Sequence, residues 1–103
     1  MAFNEMVFEV LKKIPRGKVA TYRQVAVALG SPNSARAVGN ACGKNLHSPI
    51  IPCHRVVASN GLLGGYSGGL DKKIKLLESE GVKVKSNKIV DFNSILVESK
   101  ELK

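Results

Sequence analysis

Apolar side chains recur at helical spacing from the start of the chain. Phe3, Met6, Val7, Val10, Leu11 and Ile14 mark one face of a helix from about Asn4 to Lys13, which the turn Pro15-Arg16-Gly17 ends. A second helix opens at Thr21-Tyr22-Arg23-Gln24, where a hydroxyl N-cap is followed three residues later by Gln, the capping-box spacing, and it stops at Gly30. After the tight connection Gly30-Ser31-Pro32-Asn33 a third helical run covers Ser34 to Cys42 and ends at Gly43. Two short helices joined by a glycine-containing turn make a helix-turn-helix unit, whose second helix usually enters a DNA groove.

That second helix, Ser-Ala-Arg-Ala-Val-Gly-Asn-Ala-Cys, has a small-residue face with one long cation, Arg36, in its first turn. Small side chains allow close backbone approach to whatever the helix touches. Alternatively, Ala35, Val38 and Ala41 simply pack on the preceding helix and Arg36 is solvated. Packing accounts for the alanines better than for Gly39, which costs about 1 kcal/mol in a helix relative to Ala.

From Ser48 the pattern changes. Pro49-Ile50-Ile51-Pro52 cannot continue a helix, and Val56-Val57-Ala58, Asn60-Gly61 and Leu62-Leu63 together read as a short hairpin, the wing of a winged helix. Gly64 to Gly69 is too glycine-rich for regular structure and reads as a loop able to approach a ligand closely. Leu70 to Glu80 predicts a fourth helix with Asp71 in its first turn, Ile74 and Leu77 inward and Gly81 as the stop. The chain then alternates weakly as Val82-Lys83-Val84-Lys85, turns at Ser86-Asn87 and allows a strand through Ile89, Val90 and Phe92; beyond Asn93 a frayed or loosely docked segment is expected.

The predicted architecture is therefore mainly α: a winged helix-turn-helix domain with four helices and a short β-hairpin. It occupies residues 1–92, with 93–103 as a tail. The length of 103 residues leaves room for one small core. No apolar run approaches the roughly 18 residues of a membrane span, and Met1 to Lys13 lacks the pattern of a secretory signal. The chain reads as a soluble, cytoplasmic (or, in a eukaryote, nuclear) protein, monomeric and without a membrane partner.

Charge sharpens this reading. The formal net charge is +8, and from Val10 to Leu70 there is no Asp or Glu, while Lys12, Lys13, Arg16, Lys18, Arg23, Arg36, Lys44 and Arg55 all fall there. One contiguous basic block suits a polyanion, most commonly nucleic acid, although a basic surface that only aids solubility would look the same in composition.

The chemistry concentrates at Ile51-Pro52-Cys53-His54-Arg55-Val56-Val57. A thiol attacks as thiolate, and a nearby base or positive charge makes one available. A buried structural Cys beside a surface His is the alternative for an isolated Cys-His pair. Glu80 is a candidate to orient His54, giving carboxylate, imidazole and thiol in series. Asn45 is a candidate to hold the turn leading to Pro52, or only a loop residue after the third helix; Ser67 and Tyr22 are candidate hydrogen-bond donors. Cys42 and Cys53 make no disulfide framework, and with only His47 and His54 beside them no metal site is expected.

Pro-Cys-His-Arg-Val-Val at 52–57, preceded by Ala-Arg-Ala-Val-Gly at 35–39 and followed by Tyr-Ser-Gly-Gly-Leu at 66–70, resembles the DNA-binding, active-site domain of O6-alkylguanine-DNA alkyltransferases. Gly-Lys-Val-Ala-Thr-Tyr at 17–22 and Leu-Leu-Glu-Ser-Glu-Gly at 76–81 extend the resemblance from about Phe3 to Gly81 without a gap. It implies that Cys53 is the acceptor nucleophile, activated by His54 through a bound water, with Glu80 positioning His54 and Asn45 as the hinge between recognition helix and active-site turn. Arg36 matches the finger that fills the space left by a flipped nucleotide, and Tyr22 the tyrosine that crowds the 3′ phosphate of the target. Thr21, Ala35, Ala37, Gly39 and Arg55 join them as DNA-binding positions, the small residues suiting a minor groove only about 6 Å wide. Tyr66, Ser67 and Gly68 form the wall of the lesion pocket.

The implied partner is double-stranded DNA containing O6-alkylguanine. The implied reaction is a single, irreversible transfer of the alkyl group to Cys53, a methylated-DNA-protein-cysteine methyltransferase activity needing no cofactor. Many members carry an N-terminal domain before this module, and Met1 lies only two residues before the first helix. A related group that lacks that domain, the alkyltransferase-like proteins, senses the lesions without repairing them and recruits nucleotide excision repair; its members typically replace the acceptor cysteine, which is kept here. Cys42, in the recognition helix, is read as a packing residue.

Overall fold

The computed structural model describes residues 2–45, 50–66 and 68–103. The predicted helices form close to their expected bounds: α1 Phe3–Leu11, α2 Tyr22–Ala28, α3 Ala35–Gly43 and α4 Leu70–Ser79. Thr21 caps α2 as a capping box, its hydroxyl accepting from Gln24 N at 3.0 Å while Gln24 Oε1 accepts from Thr21 N at 2.9 Å. No helix among the described residues is long and apolar enough to cross a membrane.

Two short sheets organise the rest. Strands β1 (Ala20–Thr21) and β2 (Val56–Val57) pair in parallel, Ala20 opposite Val56 and Thr21 opposite Val57. Successive side chains of a strand face opposite ways, so this ladder separates two apolar clusters. Ala20 and Val56 join the inward faces of α1, α2 and α3, while Val19 and Val57 join Leu63, Leu77, Val82 and Ile89. Strands β3 (Val84–Lys85) and β4 (Lys88–Ile89) form an antiparallel hairpin. Its turn residues Ser86 and Asn87 both have positive φ, 53° and 60°, the conformation that a two-residue hairpin turn requires.

The expected wing is built differently from its sequence reading. Ala58 and Leu62 close the turn, with Ala58 N donating to Leu62 O at 2.8 Å, but the two arms do not pair with each other further along. The arm Val56–Val57 is buried on both faces and takes β1 as its partner, whereas Leu62 bridges to Lys88, Leu63 N donates to Asn87 O and Ile89 N to Gly61 O. A doubly buried strand suits a parallel neighbour better than a solvent-facing hairpin.

The tail is docked, in place of the frayed segment expected beyond Asn93. After a short helix α5 (Phe92–Ile95), Val19 N donates to Ile95 O and Val97 N to Val19 O, both at 2.9 Å, placing this segment beside β1. Gln24 Nε2 donates to Val97 O at 2.7 Å, so the capping glutamine of α2 also holds the tail. Val97 and, within a final 3-10 turn, Leu102 are buried in the same cluster as α1 and α2.

Candidate functional site

Cys53 opens a 3-10 turn, Cys53–Arg55, immediately before β2. Pro52, at φ −83° and ψ 63°, forms an inverse γ-turn in which Cys53 N donates to Ile51 O at 2.9 Å. Asn45, buried just past α3, spans the turn with a single amide group: Nδ2 donates to Ile51 O at 2.8 Å and to Cys53 Sγ at 3.1 Å. The expected placement of Asn45 at the active-site turn is thus realised by two contacts.

Behind Cys53 stands a buried charge network. His54 is fully buried and its Nε2 lies 3.0 Å from Glu80 Oε2. Arg55 grips the same carboxylate, Nε donating to Oε1 at 3.0 Å and Nη2 to Oε2 at 2.6 Å, while its Nη1 donates to Ile14 O at 2.8 Å. Burial pushes the Glu80 carboxyl upward, but the hydrogen bonds from Arg55 and His54 outweigh it and hold the group below its ordinary value. Burial lowers His54 despite the Glu80 contact that opposes it, so a neutral imidazole is favoured near neutral pH. With Glu80 ionised, Nε2 carries the proton donated to it, and Nδ1 is the free lone pair. Nδ1 is buried and has no hydrogen-bond partner among the described residues.

Glu80 is delivered by the end of α4, which the chain near Gly17 secures. Arg16 Nη2 donates to Ser79 O at 2.8 Å, a cation at a helix C-terminus. A Cβ on Gly17, whose φ is +84°, would lie 3.3 Å from Glu80 O, so this turn requires glycine for both conformation and space.

Cys53 faces a cavity of about 620 Å³ between α2, α3 and the glycine-rich loop, lined also by Tyr22, Arg36, Gly39, Cys42 and Tyr66. Ala35 contributes to the same wall. Gly39 and Gly64 flank the Tyr22 ring: a Cβ on Gly39 would sit 3.9 Å from it, and one on Gly64, at φ +69°, would strike its hydroxyl at 2.8 Å. Gly68 backs the Tyr66 ring, where a Cβ would come within 3.1 Å. Ser67, the remaining residue of the expected pocket wall, lies outside the described residues, as does His47.

Lys73, which pattern reading passed over, is fully buried on α4. Its Nζ donates to Val56 O at 2.8 Å, Gly65 O at 3.1 Å and Leu63 O, and lies 5.9 Å from the Tyr22 ring centroid. Three carbonyls replace its water, and burial still lowers it to about 8, against the opposing pull of Cys42 and Cys53. The signal was its spacing: position 73 falls on the inward line with Leu77, where a charged residue needs a reason.

Hydrogen bonding from Cys42 and Asn45, with the Lys73 charge, lowers the Cys53 thiol against the upward push of burial. Burial chiefly raises Tyr22 to about 12, leaving its hydroxyl a donor at any ordinary pH. Burial likewise raises Tyr66.

The helix α3 presents Arg36 and Ala37 to solvent and half-buries Ala35 and Gly39, while Val38, Ala41 and Cys42 face the core. Two residues expected at DNA are turned inward. Thr21 is buried in the α2 cap, and the Arg55 guanidinium is committed to Glu80 and Ile14. The segment from α1 to the glycine-rich loop otherwise brings the expected residues to one face.

Comparison with known proteins agrees with this arrangement. Residues 2–82 match the model of the 6-O-methylguanine DNA methyltransferase DNA-binding domain. A methylated-DNA–protein-cysteine methyltransferase of Saccharolobus solfataricus is 56% identical over 82 residues, covering 80% of this chain and 52% of that protein. Its Salmonella typhimurium counterpart is 49% identical over 79 residues, 77% of this chain and 46% of the relative. The chain therefore spans about half the length of these curated relatives. Among solved structures, Mycobacterium tuberculosis OGT in complex with DNA superimposes with a TM-score of 0.76 at 43% identity, covering 79% of this chain and 49% of that one. S. pombe Atl1 in complex with damaged DNA containing O6-carboxymethylguanine gives 0.78 at 31% identity, covering 95% and 99%. With its catalytic-type turn, its helix pair and four-fifths of its length matched, the chain belongs to the 6-O-methylguanine DNA methyltransferase family.

Proposed function

We propose that this chain repairs DNA by binding duplex containing O6-alkylguanine, flipping the damaged base into the cavity and transferring the alkyl group to Cys53. The observation that carries the reading is the Cys53 sulfur facing a base-sized cavity while Asn45 holds it at 3.1 Å. Arg36, Ala37 and the small Ala35 and Gly39 form the α3 face that enters the minor groove, with the basic block neutralising phosphate. Arg36 fills the space the nucleotide leaves, and Tyr22 crowds the 3′ phosphate. Tyr66, Ser67 and Gly68 wall the extruded guanine. Thr21 and Arg55 serve DNA only indirectly, through the α2 cap and the Glu80 network.

Glu80 holds His54 in the tautomer whose Nδ1 accepts a proton from the Cys53 thiol through one water. The thiolate forms the S–C bond as the C–O6 bond breaks in line, and guanine leaves as a proton reaches it. Tyr22, kept protonated, supplies a donor at the base. The thioether does not hydrolyse, so each molecule acts once and needs no cofactor.

A second reading, lesion sensing that recruits nucleotide excision repair without transfer, draws on the near-complete coverage of Atl1. Intact-protein mass spectrometry after mixing the chain with a duplex carrying one O6-methylguanine separates the two. One methyl gained by wild type and not by Cys53→Ala is expected; lesion-selective binding with no mass gain would establish the sensor instead.

A further inference from the structure

The cavity that Cys53 faces contains a second sulfur. Cys42, in the last turn of α3, is buried, lines the same cavity and belongs to the same apolar cluster as Cys53. Asn45 follows it by three residues and donates to Cys53 Sγ at 3.1 Å. The end of α3 therefore brings two side chains with donor hydrogens to one sulfur, and the thiols of Cys42 and Cys53 are hydrogen-bonded to each other.

We propose that Cys42 is a positioning residue for the acceptor thiol, its S–H donating to the Cys53 thiolate so that this donor and the Asn45 amide hold the sulfur from the end of the recognition helix. The inference rests on the reading of Cys53 as the acceptor. The direction of the hydrogen bond follows from the asymmetry of the two sites. The contact with Cys53 and burial both drive the Cys42 thiol far up, so its proton stays, while the same contact is the largest influence lowering Cys53. Cys42 is thereby a poor nucleophile and a persistent donor, a role that packing alone does not supply.

Other groups facing Cys53 are Lys73 from α4, Tyr22 from α2, Tyr66 from the glycine-rich loop and Asn45, with His54 adjacent and Glu80 behind it. Substitution at position 42 leaves all of them in place, so a change in Cys53 titration reports on the Cys42 contact.

The test is the pH dependence of Cys53 alkylation by iodoacetamide in the full chain, with peptide mass mapping of the label, for wild type, Cys42→Ala, Cys42→Val and Cys42→Ser. Ala and Val are expected to move the half-maximal pH upward by about half a unit or more, and Ser, which restores a donor, to return it toward wild type. Val nearly preserves the volume and carries the test if Ala does not fold, as thermal melts will show. Equal midpoints in wild type and Val would overturn the proposal, as would a first label on Cys42. Iodoacetamide needs no DNA, so failure to transfer methyl from a lesion would strike the acceptor reading and leave this measurement intact.

Discussion

His54 and Glu80, 26 residues apart in the chain, meet at 3.0 Å inside the protein, and the neighbouring Arg55 closes on the same carboxylate at 2.6 Å. One carboxylate thus fixes the orientation of the imidazole and satisfies a largely buried guanidinium. A carboxylate with two such partners is costly to remove because both partners stay behind unsatisfied.

Glu80→Gln is expected to destabilise the fold by about 3 kcal/mol at pH 7, within the range for breaking a buried pair. The folded carboxyl titrates below its ordinary value, so its stabilising contribution is present above pH of about 4.5 and disappears as pH falls through the lower folded value. Thermal melts of wild type and variant should therefore separate at pH 7 and converge on acidification. A gap that persists unchanged below about pH 3 would contradict the linkage. Transfer should slow by about a hundredfold, in keeping with loss of an oriented general base.

Gly39→Ala tests whether the small face of α3 serves the helix or the ligand. The added methyl meets the Tyr22 ring at 3.9 Å, an ordinary contact. Helix propensity then predicts stabilisation of up to about 1 kcal/mol, while the side chain narrows the cavity and thickens the groove-facing surface. A higher melting temperature combined with weaker duplex binding is the expected pair of results. Unchanged DNA affinity would remove Gly39 from the interface.

The four main helices were legible in the sequence because each combined a 3.6-residue apolar period with a terminal signal, such as Thr21 with Gln24 or Gly81 after α4. The Ser86-Asn87 turn was legible for a similar local reason, since Asn tolerates positive φ. Strand partners were not. Val56-Val57 carries the same pattern in a hairpin as in a buried parallel strand, and only the distant Ala20-Thr21 decides between them. The inward turn of Arg55 also depends on Glu80 and Ile14, neither of which is near it in sequence. Lys73 was hidden because a lysine in a basic helix reads as solvated unless its carbonyl partners are known.

Arg36→Ala is expected to leave the stability within about 0.5 kcal/mol of wild type, since Arg36 is exposed. Its loss should show on DNA. Affinity for duplex should fall, and the salt dependence of binding should become shallower by about one unit of slope if Arg36 contacts phosphate. Transfer from duplex should fall more than transfer from the free base O6-benzylguanine, because only the duplex requires an extruded nucleotide. Equal losses on both substrates would place Arg36 outside the flipping step.

Deletion of residues 93–103 addresses the tail. Val97 and Leu102 are buried against α1 and α2, and the backbone bonds at Val19 and the Gln24 contact at Val97 leave with them. Burial of two aliphatic side chains at about 1.5–3 kcal/mol each predicts a loss of about 3–6 kcal/mol, large against the stability of a small domain. Urea denaturation should show a lower midpoint. Val97→Ala and Leu102→Ala, as the milder variants, should each reproduce part of the shift. A truncated chain that melts with wild type would mean that the tail merely rests on a core already closed by α1, α2 and α3.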